Sequence, residues 1–200
     1  MSKIKLFSGM DFSGKTTIIK NIEVSMPGVF KVQRKFLTSI DTIEKVRNTW
    51  LPPEEWKPLL QNTIKKDISN YKENGPILQD SLWIVKYIAT KLEQNKSEDL
   101  EEIEILQHLL EQYPDMDSFY ITTSIEERVK RLEEREKLGE KISGSDKLLY
   151  DSEKFEEVER NYKNIVLKRF PNTKIIDTTN SSPDETLQEI LQDSNFKRDL

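Results

Sequence analysis

Apolar residues along this chain follow two rhythms: compact runs, and longer stretches where they return every three or four positions. These are the signatures of strands and of amphipathic helices. Residues 3–8 form the first compact run and stop at Gly9, and the next dozen residues, rich in Ile and Lys after Thr16, predict a helix. Residues 29–36 predict a second strand, 38–50 a helix capped by Thr38 or Ser39, and 52–71 a helix opened by Pro52, Pro53 and Glu54. Asn74-Gly75-Pro76 is a stop signal before residues 77–80, a third strand, short and apolar as interior parallel strands are. Helices over 82–94 and 98–112 come next, with Ser97 as the N-cap between them and Pro114-Asp115 ending the second. Residues 118–123 are β-branched and aromatic, a fourth strand, and Ser124 caps a charged helix that runs to about Lys137. Residues 138–150 carry two Gly and two Ser and predict a mobile excursion before a helix over 151–169. Residues 174–177 are a fifth strand, and Ser182, Pro183 and Glu185 open the last helix. Residues 194–200 read as a frayed tail.

Five strands alternating with helices predict an α/β fold, a parallel sheet covered on both faces, with ligands at the carboxyl ends of its strands. The 200 residues contain no repeat, low-complexity tract or linker, so one domain over 1–200 is expected, with 138–150 as a short lid. Leu, Ile, Val and Phe supply 56 of those residues, enough for a core despite a mean hydropathy of -0.69. No run approaches the ~18 apolar residues of a membrane span, and the first residues lack a secretory cleavage pattern. The chain has no Cys, which excludes disulfides and thiolate metal sites and suits a cytoplasmic location. A net charge of -5 argues against nucleic acid as a partner, yet residues 1–50 hold nine Lys or Arg against four acids. A basic quarter in an acidic protein suits a pocket for a small anion, or is a solvated face.

That quarter contains Gly9-Met10-Asp11-Phe12-Ser13-Gly14-Lys15-Thr16-Thr17, which fits G-x-x-x-x-G-K-[ST] between a strand and a helix. In such a loop the glycines let successive N–H groups converge on phosphate oxygens, aided by the helix N-terminus. Gly9, Ser13, Gly14, Lys15, Thr16 and Thr17 are therefore the nucleotide-binding candidates. Lys15 is placed to reach the β- and γ-phosphates of ATP, and Thr16 to ligate Mg²⁺.

With Asp11 inside the loop, the run resembles the thymidylate kinase family of P-loop kinases. Pro114-Asp115, the strand after it and the helix bearing Arg131 and Arg135 resemble the family's approach to its lid. Phe155, Val158 and Tyr162 are similar to its post-lid helix, and Ile176-Asp177-Thr178 to its last strand and adenine-side loop. The resemblance runs from Ile4 to about Ile190. It implies a five-stranded parallel sheet, ATP and Mg²⁺ as cofactors, a nucleotide-like acceptor, and leaves a homodimer open.

Departures gather on the acceptor side. Where the family has Asp-Arg after the third strand, this chain has Asp80-Ser81, so the Arg that grips the acceptor's phosphate is missing. Arg34 matches the Arg of the family's second-strand Arg-Glu-Pro motif, but Lys35 and Phe36 stand in place of its Glu and Pro. Asp80 is read as a proton acceptor or water-mediated Mg²⁺ ligand, or as an N-cap. Asp11 either binds a sugar hydroxyl or metal water, or stabilises the loop. Arg131 and Arg135, four apart, both face ATP or both lie on a Glu-rich solvated face. Lys137, Lys141 and Lys147 flank the lid, and Phe12 stands where some relatives have an Arg. Trp50, Trp56 and Trp83 are read as core, with Trp56 and Gln61 the pair suited to reading a base; His108, the only His, is read as structural.

The expected function is phosphoryl transfer from ATP to a (deoxy)nucleoside monophosphate such as dTMP, with Lys15, Asp80, Arg135 and Asp11 catalytic. Arg131 joins the donor site; Asp11, Arg34, Gln61 and Ser81 form the acceptor site; Thr16 and Asp80 serve the metal. The alternatives are a nucleoside or other hydroxyl-bearing metabolite as acceptor, or a non-catalytic nucleotide binder. No Asn-Lys-x-Asp guanine reader of the switch GTPases is present.

Overall fold

The computed structural model describes residues 4–33, 53–94, 100–140 and 146–197. Arg34, Trp50, Lys141, the predicted helix at 38–50 and the Ser97 cap lie outside them, as do the side chains of Trp56 and Lys147.

β1 (Ile4–Ser8) is buried along its whole length because it is the middle strand of the sheet. It is flanked by β3 (Ile77–Asp80) and β4 (Asp117–Thr122), with β2 (Lys31–Gln33) and β5 (Lys174–Asp177) outermost. The strand order is β2-β3-β1-β4-β5 and every pairing is parallel. A parallel pair needs a crossover, which is why helices intervene. They are α1 (Lys15–Ser25), α2 (Pro53–Glu73), α3 (Trp83–Gln94), α4 (Leu100–Leu110), α5 (Ile125–Lys137), α6 (Ser152–Arg169) and α7 (Pro183–Gln192). Among the described residues no helix is long and apolar enough to cross a membrane.

Alternation along the strands divides the core in two. Ile4, Leu6, Ile77 and Tyr120 face α2, α3, α4 and α6; Phe7, Leu78, Phe119, Ile121 and Ile176 face α1 and α7. Local sequence signals set the helix ends. Ser124 Oγ accepts the N–H of Glu127 at 3.2 Å, and Ser182 with Glu185 forms a reciprocal cap under Pro183. Trp83 is core, as expected, at 7% exposed. His108 lies on the outer face of α4, beside Glu111.

Two segments differ from expectation. The tail is not frayed at its start: Ser194–Lys197 form a short helix, α8, and Phe196 is fully buried. Its ring lies edge-on to Phe119 and against Phe30, and the apolar area it covers holds the segment down. The segment read as a lid follows the end of α5 at Lys137, and Gly139 takes a positive φ of 72°. Its last part is no open excursion. Asp146–Tyr150 form a 3₁₀ turn against α5 and α6, with Leu149 buried.

Candidate active site

β1 delivers the chain to Gly9, whose φ is 138°, and a Cβ there would lie 2.1 Å from the Ile121 carbonyl oxygen of β4. Only glycine allows that turn beside the neighbouring strand. Gly14, at φ 95°, is the N-cap of α1 and directs the helix N-terminus into the loop. The loop is then held one carbonyl at a time, by its own Lys15 and by three side chains from outside it. Lys15 Nζ donates to Met10 O at 2.8 Å and to Ser13 Oγ at 3.3 Å. Arg128 Nη1 donates to Asp11 O at 2.7 Å, Arg131 Nη1 to Phe12 O at 3.0 Å, and Thr178 Oγ1 to Ser13 O at 3.1 Å. Four consecutive carbonyl oxygens are therefore occupied. A carbonyl oxygen repels phosphate; bonding those of Asp11, Phe12 and Ser13 to cationic or hydroxyl donors from outside the loop leaves the peptide N–H groups to meet an anion. Thr16 and Thr17 are on the first turn of α1, Thr16 exposed.

Arg131 and Arg135 divide. Arg131 lies over the loop, its Nη1 3.5 Å from where a Cβ on Gly14 would sit, and its Nε donates to Glu127 at 3.0 Å. Arg135 sits at the rim, 44% exposed, over the Phe12 ring and donating to Glu140 at 2.6 Å. The helix thus shows a loop-facing Arg and a partly solvated one, where the sequence suggested a shared fate.

The sequence did not single out Arg128. It is fully buried, donates through Nε to Thr123 O, and pairs with Glu159 of α6. Glu159 also accepts from Tyr120 and Thr122, and the guanidinium stacks over Phe155. Burial pulls Arg128 below its ordinary pKa, and the Glu159 charge opposes this. Its one sequence signal is its place three residues before Arg131, on the same helical face. Glu159 had none.

Asp80 ends β3, in register with Phe7 of β1, two residues before Gly9. It is 6% exposed and faces the loop's entry strand. α3 begins at Trp83, three residues past Asp80. Ser81 is buried at φ 60°, and its N–H and hydroxyl both donate to Phe7 O. Asp11 pairs through its carboxylate with Lys86 of α3, a residue that no motif or spacing had singled out. Gln61 is half-buried on α2. Beneath α2, Asp67 accepts from Gln33 at 3.1 Å and from Tyr113 at 2.7 Å, and Tyr71 donates to Gln79. Burial pushes Asp67 up to about 6, against the lowering effect of the Tyr113 hydroxyl.

No family model matches the sequence, and no curated protein matches it. Solved structures do. The thymidylate kinase from Candida albicans superposes with a TM-score of 0.70 at 18% identity, over 94% of this chain and 89% of that one. A deoxyadenosine kinase from M. mycoides with bound dATP gives 0.63 at 15% identity, over 94% and 97%. A thymidylate kinase from Ehrlichia chaffeensis gives 0.56 at 18%, over 94% and 96%.

The fold is that of the thymidylate kinases. It is shared by the deoxyadenosine kinase, and in both the superposition spans nearly the whole chain. Among the described residues no group of three or more His, Asp or Glu side chains could hold a metal alone. The exposed Thr16 hydroxyl and the Asp80 carboxylate fit Mg²⁺ as a hard, oxygen-seeking ion whose remaining ligands are phosphate oxygens and water.

Proposed function

We propose that this chain is a Mg²⁺-dependent phosphotransferase that moves the γ-phosphate of ATP to a nucleoside monophosphate. The observation that carries the proposal is the loop of Gly9 to Thr16, with the carbonyls of Asp11, Phe12 and Ser13 bonded outward and Lys15 lying across it on Met10 O. Phosphoryl transfer needs positioning and charge neutralisation rather than a covalent intermediate. Gly9, Ser13, Gly14, Thr16 and Thr17 bind the donor phosphates, and Lys15 leaves Met10 O for the β- and γ-phosphates. Arg131 and Arg128 keep the loop in shape. Asp80 accepts the proton of the attacking oxygen, and Arg135 at the rim meets the charge that develops on the transferred group. Mg²⁺, when bound, draws off phosphate charge. Asp11, Gln61 and Ser81 border the acceptor, and Arg34, which lies outside the described residues, is kept as a candidate on its sequence match alone.

A neutral nucleoside is the second reading. It is favoured by Ser81, whose hydroxyl is turned back onto β1 where a phosphate-binding Arg was expected, and by the likeness to a deoxyadenosine kinase. ADP release, measured across deoxynucleosides and their monophosphates, decides between them. Lys15→Ala is expected to abolish transfer while circular dichroism stays native, because the ammonium serves the loop and little of the core. Full turnover in folded Lys15→Ala would rule out this mechanism.

A further inference from the structure

The site lacks a cation at position 81, yet one reaches the P-loop from the same segment of chain. Lys86 stands in the first turns of α3, six residues past Asp80, and its ammonium pairs with the Asp11 carboxylate. Both side chains are partly open, at 25% and 20% exposed, so a ligand can reach the pair. The main chain on each side is anchored: Asp11 O is held by Arg128, and Ser81 by two bonds to Phe7 O. Lys86 therefore sits where β3, which carries Asp80, and the phosphate loop come together. Its flexible stem can move the ammonium while α3 stays in place.

We infer that Lys86 is the residue that binds the acceptor's phosphate, exchanging Asp11 for that phosphate when the acceptor arrives. Resting on the kinase reading above, this makes an anionic monophosphate the preferred acceptor. A dianionic phosphate competes well for an ammonium held by one carboxylate, because charge and acceptor oxygens both favour it. A neutral nucleoside offers nothing to displace Asp11.

The test compares KM and kcat for wild type, Lys86→Met and Lys86→Arg, using dAMP, dCMP, dGMP and dTMP beside their nucleosides, with ATP saturating. Lys86→Met is expected to raise the KM of the monophosphate used by roughly ten- to a hundredfold, the value of one charge-assisted hydrogen bond. The KM for ATP should stay, and Lys86→Arg should restore most of the loss. Equal loss on monophosphate and nucleoside, or a wild type that uses nucleosides only, overturns the inference and leaves the kinase reading intact. No turnover with any of the eight acceptors overturns the kinase reading itself, and the inference with it. Should Lys86→Met fail to fold, chemical acetylation of the wild-type protein answers instead. Protection of Lys86 by a saturating monophosphate but not by its nucleoside supports the exchange, and equal labelling overturns it.

Discussion

Two arginines on α5, Arg128 and Arg135, show how much one residue's surroundings decide. Arg128 is fully buried and donates to Thr123 O, Asp11 O, Thr122 Oγ1 and Glu159. Arg135, two turns on, is nearly half exposed and pairs with the equally open Glu140. Arg128→Met is expected to cost about 3 kcal/mol of unfolding free energy, because Glu159 loses its counter-charge in a poorly solvated place. It should also weaken ATP binding, since Asp11 O then loses the Arg128 guanidinium. Arg135→Ala should change stability by less than about 1 kcal/mol, as exposed pairs do, and act on kcat. Urea titrations of the two variants check the contrast. Asp80→Asn is expected to lower kcat by roughly 10² to 10⁴ with KM for ATP unchanged, the effect of removing a positioned proton acceptor. Steady-state kinetics measure it, and a near-native rate would take Asp80 out of the chemistry.

At the level of elements, α2 is tied to the sheet by a buried polar network rather than by apolar contact alone. Asp67 bonds Gln33 of β2 and Tyr113 beyond α4, while Tyr71 bonds Gln79 of β3. Burial raises Asp67 to about 6 and drives Tyr71 and Tyr113 well above their ordinary values, so both phenols stay protonated. For a carboxyl raised on folding, the native state binds the extra proton. Its charge therefore costs stability progressively as pH rises from about 4 to about 6, by no more than about 3 kcal/mol, and the cost is constant above that. Asp67→Asn should flatten this part of the stability profile. Urea midpoints at pH 4, 5, 6 and 7 for both proteins provide the measurement; parallel profiles would contradict the burial argument.

The whole molecule is a sheet between two cores, and its end closes one of them. Phe196 seals the α1–α7 side against Phe30 and Phe119, and Lys5, itself buried and paired with Asp117 at 2.8 Å, lies over the same ring. Deleting residues 194–200 opens a cavity the size of a phenyl ring beside the central strands. The expected loss is about 3–5 kcal/mol, seen as a lower melting temperature, and Phe196→Ala should reproduce most of it. A tail that contributed nothing would leave the melting temperature unchanged.

Along the chain, the legible features were those that depend on near neighbours. The strand-loop-helix spacing of Gly9 to Thr17 foretold the turn from β1 into α1, and Ser124, Ser182 and Glu185 foretold their caps, because turns and caps are made within a few residues. The parallel direction of the strands came from the alternation of elements, since parallel strands need crossovers. The partners of the loop were not legible in this way. Arg128 lies 117 residues from Asp11, and Lys86 lies 75 away, so nothing local distinguishes them from other charged helix positions. Phe196 looked like one apolar residue in a polar tail until Phe30 and Phe119 were brought beneath it. Burial and counter-charge belong to the folded arrangement, and these decide which charged side chain braces the site and which only meets water.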